Sequence, residues 1–169
     1  MWYIRKVIVT LFLAGLLGFG STVPRLVAAD ALQYTLKDLE EAAQSLDQYR
    51  NQWVVVNFWA TWCGPCIREI PELMAFAKRY PEQVQVVGIA FEKTPVDEIR
   101  AFVAEFGVSY PVFLIGNQPL LPMEPLKGLP STFLVSPSGQ VVHSHVGPVT
   151  EDELVGWLAQ YANGSQTEG

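Results

Sequence analysis

Cysteine and histidine are nearly missing from this chain of 169 residues: there are two cysteines, Cys63 and Cys66, and two histidines, His143 and His145. So few thiols exclude a disulfide-stapled scaffold and any four-cysteine metal site. Basic residues are scarce too. Eleven Lys and Arg stand against 17 Asp and Glu, a formal charge of −6, which argues against a nucleic-acid partner because phosphate binding needs a basic face. Neither internal repeats nor low-complexity tracts occur. What the chain has is apolar residues, half of its composition, with 17% charged. That balance excludes global disorder and supports one packed domain of ordinary size.

The N-terminus carries a targeting pattern. Arg5 and Lys6 precede an uncharged apolar run, Val7 to Phe19, and Val27-Ala28-Ala29 supplies small residues beyond it. This is the layout of a secretory signal peptide, cleaved after Ala29. An uncleaved N-terminal membrane anchor is the alternative, although the run, even extended to Val23, falls short of the roughly 20 residues a spanning helix wants. Gly15, Gly18 and Gly20, with no polar face between them, count against a buried helix of the domain. Either reading places the rest of the chain in an exported, periplasmic or otherwise extracytoplasmic compartment. Residues 30–169 keep eight basic and 17 acidic residues, a net charge of −9, a solubility feature in an exported protein.

Hydrophobic periodicity orders the elements. Trp53 to Trp59, WVVVNFW, is an almost unbroken apolar run, as in a strand buried on both faces of a sheet. Cys66 to Tyr80 has a helical stripe through Ile67, Ile70, Leu73, Met74, Phe76 and Ala77, with Pro71 inside it as an expected kink. Val84 to Ala90 reads as a second buried strand, and Val96 to Phe106 as a second amphipathic helix ended by Gly107. Strand, helix, strand makes a parallel βαβ unit the default. Thr132–Val135 and Val141–Val146, around the turn cluster Ser136-Pro137-Ser138-Gly139, predict an antiparallel hairpin. Thr150 to Tyr161 predicts a closing helix, with Thr150 and Glu153 as a capping box. Residues 30–50 admit two readings: a helical stripe through Leu36, Leu39, Leu46 and Tyr49, or an edge strand over Leu32–Leu36. Residues 30–163 thus form the domain, and 164–169 a polar, disordered tail.

Cys63-Gly64-Pro65-Cys66 falls where the first buried strand gives way to the helix with Pro71. Reactive sites of open α/β sheets collect beyond the carboxyl ends of strands. A two-residue spacer on the first helical turn lets two sulfurs reach bonding distance. Cys63, at the tip, should feel the free backbone N–H groups and the helix dipole, and Cys66, a turn further in, should be more buried. A structural disulfide closing so small a loop would stabilise little. A metal would need more ligands than the distant His143 and His145, and a c-type haem would need histidine where Ile67 stands. A redox dithiol is the reading that the strand-to-helix context favours.

VVVNFWATWCGPC, Pro71, and Gly128-Leu129-Pro130-Ser131-Thr132-Phe133 ahead of a strand resemble the thioredoxin superfamily. The export signal, NFWATWC and the long segment Glu92–Leu126 resemble its exported branch of TlpA/ResA/DsbE-like proteins. The resemblance covers about Leu32 to Ala162. It implies an α/β, thioredoxin-like fold: βαβ plus ββα on one central mixed sheet, helices on both faces, with a segment inserted before the strand that a cis proline precedes. In that family the proline matching Pro130 is cis, and the residue matching Leu129 offers backbone hydrogen bonds to an incoming polypeptide. A trans proline opening an edge strand is the other reading of Pro130. Trp62 and Trp59 are read as docking surface or as core, and Trp62, beside Cys63, is the one expected to be exposed. Thioredoxin carries a buried aspartate where this chain has Asn57, so another group must take the Cys66 proton. Glu92 matches the glutamate of ResA-like proteins and is the candidate, against a solvated loop acid beside Lys93. Glu69 and Glu72 are read as solvated helix acids, and His143 and His145 as hydrogen-bonded structural residues. Residues 37–52 lack the glycine-rich turn of this branch.

The resemblance implies an exported thiol–disulfide oxidoreductase needing no cofactor and no metal, and acting as a monomer. Its expected work is the reduction of disulfides in exported proteins, apocytochrome c among them, in cytochrome c maturation or related metalloprotein assembly. A membrane thiol-electron transporter would recharge it, because the compartment is oxidising. A disulfide-forming oxidase, or a redox-inert binding or metallochaperone module, are the alternatives. Gly64-Pro65, the intervening pair of reducing thioredoxins, favours reduction.

Overall fold

The computed structural model describes residues 29–164 apart from Gln118. Residues 1–28 and 165–169, which carry nearly all of the expected targeting segment and tail, lie outside the described residues. Among the described residues no helix is long and apolar enough to cross a membrane.

In chain order the elements are β1 (Thr35–Asp38), β2 (Ala43–Ser45), a 3-10 helix (Leu46–Tyr49), β3 (Trp53–Trp59), α1 (Gly64–Arg79), β4 (Val84–Ala90), α2 (Val96–Glu105), β5 (Val112–Leu114), β6 (Ser131–Val135), β7 (Val141–Val146) and α3 (Glu151–Gly164). The seven strands form one mixed sheet in the order β2-β1-β5-β4-β3-β6-β7. The apolar strands β3 and β4 lie side by side at its centre, parallel and paired over their full lengths. β6 runs antiparallel to β3, and β7 antiparallel to β6.

Alternation along β3 divides the interior. Val54, Val56 and Phe58 face one way into one buried cluster, while Val55 and Trp59 face the other. Among the described residues all three α-helices pack on the Val55–Trp59 side, through residues such as Leu73, Phe76, Phe102 and Leu154. The 3-10 helix with Leu46, and the segment carrying Leu120 and Met123, cover the opposite side. Helices therefore lie on both faces, but unequally. Each fully buried Val, Leu or Phe in these layers stabilises the fold by about 1.5–3 kcal/mol, the largest favourable contribution to it.

The inserted segment contributes α2 and an unforeseen strand, β5, which pairs parallel to β4. Three residues are too short a run for periodicity to report. Residues 30–50 form no helix over Leu36–Tyr49, and the strand lies at Thr35–Asp38, shifted from the Leu32–Leu36 reading. They make the β1–β2 hairpin, registered Leu36 to Gln44. Its turn closes without glycine. Asp38 Oδ1 accepts from the backbone N–H of Glu40 at 3.0 Å and of Ala42 at 2.8 Å, and Glu41 takes φ +60°. A carboxylate that mimics a backbone acceptor replaces the expected glycine-rich turn.

Candidate active site

β3 ends at Trp59 and α1 starts at Gly64, so residues 60–63 form the turn beyond the carboxyl end of a central strand. The turn is tied by the Cys63 N–H donating to the Ala60 carbonyl at 3.1 Å. Cys63 is the N-cap of α1, and its Sγ accepts from the Cys66 backbone N–H at 3.3 Å. Pro65 sits in the first helical turn, where a missing N–H costs no internal bond. Cys63 and Cys66 are joined as a disulfide with Cα atoms 5.2 Å apart. Both are buried, Cys63 at 5% exposure and Cys66 at 1%, while the neighbouring Trp62 is 70% exposed. Opening the disulfide would leave one sulfur at a helix N-terminus, where the orphan N–H groups and the dipole favour negative charge.

An open cavity of about 580 Å³ adjoins Cys63, lined by Trp62, Pro65, Phe91, Leu126, Lys127 and Leu129. The Leu129–Pro130 peptide bond is cis, and Pro130 is buried ahead of β6. Two more cis bonds, Leu121–Pro122 and Glu124–Pro125, shape the segment before it. The structure thus gathers Trp62, Cys63 and Leu129 around one groove, with Cys66 bonded to Cys63 and buried Pro130 following Leu129, although they come from both halves of the sequence.

The glutamates need correction. Glu69 is not a solvated helix acid: it is buried at 1% exposure. Its Oε1 accepts from Asn57 Nδ2 at 2.8 Å and its Oε2 from the Val149 N–H at 2.9 Å. Asn57 Nδ2 also donates to Thr132 Oγ1 at 3.0 Å. Burial pushes the Glu69 pKa up to about 7, against the lowering effect of those two donors. Glu69 lies three residues after Cys66 on α1, which puts both side chains on one helix face. Glu72 is also not simply solvated. Its Oε2 accepts from the Glu151 N–H at 2.9 Å, a carboxylate capping the start of α3.

Glu92 follows β4 and is half-buried. Its carboxylate accepts from the Thr61 N–H at 2.7 Å, from Thr61 Oγ1 at 3.0 Å and from Thr94 Oγ1. Three donors hold it against the turn that leads to Trp62 and Cys63. Lys93, its neighbour, is exposed. His143 and His145 stand on β7 against α3, with ring centroids 4.4 and 5.7 Å from Trp157. His143 Nδ1 lies 3.3 Å from the Tyr161 hydroxyl, and burial, then His145, lowers the His143 pKa. Among the described residues no cluster of three or more His, Cys, Asp or Glu could hold a metal ion.

Glu69 is the acid whose burial sequence reasoning missed. Its signals were faint: an amide in an otherwise apolar strand, and an acid three residues past the second cysteine. The contact that joins them spans 12 residues and exists only once α1 packs on β3.

Comparison with known proteins gives a consistent outcome. The AhpC/TSA family matches residues 27–144. The thiol-disulfide oxidoreductase ResA of Bacillus subtilis is 32% identical over 127 residues, covering 75% of this chain and 70% of its own. ResA of Bacillus thuringiensis is 28% identical over 161 residues, 90% of this chain and 92% of its own. Among solved structures, a putative thiol:disulfide interchange protein DsbE from Chlorobium tepidum superposes with a TM-score of 0.68 at 24% identity, covering 80% of this chain and 95% of that one. That last likeness concerns the fold.

Proposed function

Because the chain belongs to the thioredoxin-like AhpC/TSA family and is a thiol–disulfide oxidoreductase of the ResA type, we propose that it reduces disulfides in exported polypeptides. Cytochrome c maturation, or a related metalloprotein assembly, is the setting, with apocytochrome c as a client. The observation that carries this reading is the Cys63–Cys66 disulfide at the head of α1, facing an apolar groove beside cis Pro130. The signal-like N-terminal segment supports export, and a membrane thiol-electron transporter returns the pair to the dithiol. The protein acts as a monomer.

In the reduced protein the Cys63 thiolate attacks a client disulfide and forms a mixed disulfide. Cys66 then attacks Cys63 Sγ, the client leaves as a thiolate, and the Cys63–Cys66 bond re-forms. Trp62 and Leu129 offer the apolar and backbone contacts that seat an extended client, and Pro130 fixes the Leu129 carbonyl beside them. For Cys66 to act, its proton must leave. Glu69 suits that task better than Glu92: it is buried on the Cys66 face of α1, with a pKa near working pH. Glu92, held by three donors, serves as the tether of the Thr61–Cys63 turn.

The decisive measurement is the Cys63/Cys66 reduction potential, obtained by equilibrating residues 30–169 with glutathione buffers and trapping free thiols. A reductase requires a value near or below that of thioredoxin, about −270 mV. A value near that of a strong periplasmic oxidant, about −120 mV, replaces this reading with disulfide formation. A pair that fails to cycle leaves a binding module.

A further inference from the structure

Two buried polar atoms have no hydrogen-bond partner among the described residues, Trp59 Nε1 and the Tyr110 hydroxyl. Buried donors are nearly always satisfied, and leaving one unpaired costs about 1–3 kcal/mol. Both side chains converge on Gly88. A β-carbon placed there would lie 2.7 Å from Trp59 Nε1 and 3.0 Å from Tyr110 Cε2, so a bare backbone is what lets the indole edge and the phenol ring lie there. Gly88 pairs across the sheet with Asn57, the residue that holds Glu69. Indole, phenol, amide and carboxylate thus share one buried layer between the sheet and α1. Burial, and then the Glu69 charge, raise the Tyr110 pKa, so the hydroxyl stays protonated. Tyr110 also lines an open cavity of about 510 Å³ between α1 and β4, with Met74, Lys78 and Ser109.

We propose that Tyr110 is a positioning residue for Glu69, its hydroxyl donating to the carboxylate through a water shared with Trp59 Nε1. The proposal rests on Glu69 as the group that takes the Cys66 proton. Each Glu69 oxygen already accepts one hydrogen bond, and a carboxylate oxygen has capacity for a second. The water has three partners, indole N–H, phenol and carboxylate, within the range buried waters take. In the resolving step the Cys66 S–H proton passes to Glu69. The sulfur's electron pair forms the Cys63–Cys66 bond, and the bond to the client breaks, leaving a client thiolate. Glu69 ends the step protonated.

A donor to the ionised carboxylate favours that form, so Tyr110 extends the action of Glu69 to lower pH. The groups that face Glu69 are Asn57 from β3, the Val149 N–H ahead of α3, Tyr110 ahead of β5, and Cys66 on α1 itself; of these only Tyr110 and Cys66 titrate. The test mixes reduced protein with an aryl disulfide that releases a coloured thiolate. The first release reports attack by Cys63, and the second reports resolution by Cys66. Tyr110→Phe should leave the first release unchanged and move the pH midpoint of the second upward by about one unit, slowing it about tenfold below the midpoint. Trp59→Phe, which removes the other donor, should shift it the same way by less, and serves if Tyr110→Phe fails to fold. In a Glu69→Gln background both shifts should vanish. Profiles that superimpose on the unsubstituted protein overturn the proposal, as does a Tyr110→Phe effect that persists beside Glu69→Gln. If Glu69→Gln alone leaves the second release untouched, the assignment of Glu69 falls. If Glu69→Gln slows it and neither aromatic variant shifts it, only the role of Tyr110 falls.

Discussion

One glutamate, Glu92, is tied to the disulfide turn, and another, Glu69, lies on the helix that the disulfide heads; their surroundings differ in solvation. Glu92 is half-buried at the edge of the groove, with three donors on its carboxylate. Glu69 lies under α1 at 1% exposure, with one donor on each oxygen. Its two donors do not offset the loss of water, so its pKa rises to about 7. A carboxylate well supplied with donors is a good tether, and one that is short of solvation is a good base at neutral pH. Neighbourhood, rather than residue type, separates the two roles.

The largest effect that would break this contrast concerns stability. Glu69 has a folded pKa near 7 against an ordinary value of 4.5, so the protonated form is the one the fold favours. That stability is fully present below pH 4.5 and is lost as pH rises through 7. Relative to Glu69→Gln, the oxidised protein should lose on the order of 3 kcal/mol between pH 4 and pH 8. Denaturant unfolding across that range measures it, and parallel curves for the two proteins would contradict a buried, strained carboxylate.

Next in size is the resolving step. Glu69→Gln should slow the second thiolate release about a hundredfold at pH 7 and leave the first unchanged. Glu92→Gln should alter either by less than about threefold, and the reverse ranking would return the proton to Glu92. A smaller effect isolates the tether. Glu92→Gln loses a charge-assisted acceptor for the Thr61 N–H and hydroxyl, which should cost about 1–2 kcal/mol in thermal unfolding. Smallest is the surface itself. Trp62→Ala, at a 70% exposed position, should weaken reaction with an extended peptide disulfide by about five- to tenfold. It should spare a small aryl disulfide, which separates client seating from proton transfer.

Legibility followed the range of the interactions. β3 and β4 were readable to the residue because long apolar runs of branched side chains have one use, burial in a sheet. The capping box of α3 was readable because its partners are three residues apart, with Thr150 N–H and hydroxyl on Glu153 at 2.9 Å. β5 was not, since three residues borrow their strand conformation from β4 and β1 on either side. The β1–β2 turn was missed because Asp38 does through its side chain what glycine would have done through its backbone.

The same division runs through the site. The sequence by itself determined that there are two thiols, two residues apart, between a buried strand and a helix. It also determined that a proline precedes β6 and that position 57 carries an amide. Tertiary structure decided which carboxylate meets that amide, that Trp62 stays outside while both sulfurs are buried, and that Trp59 and Tyr110 converge on Gly88. The reason is physical. A covalent spacing or an apolar run is a property of neighbouring residues, whereas desolvation of a charge depends on every element packed around it, and those elements come together only when the chain folds.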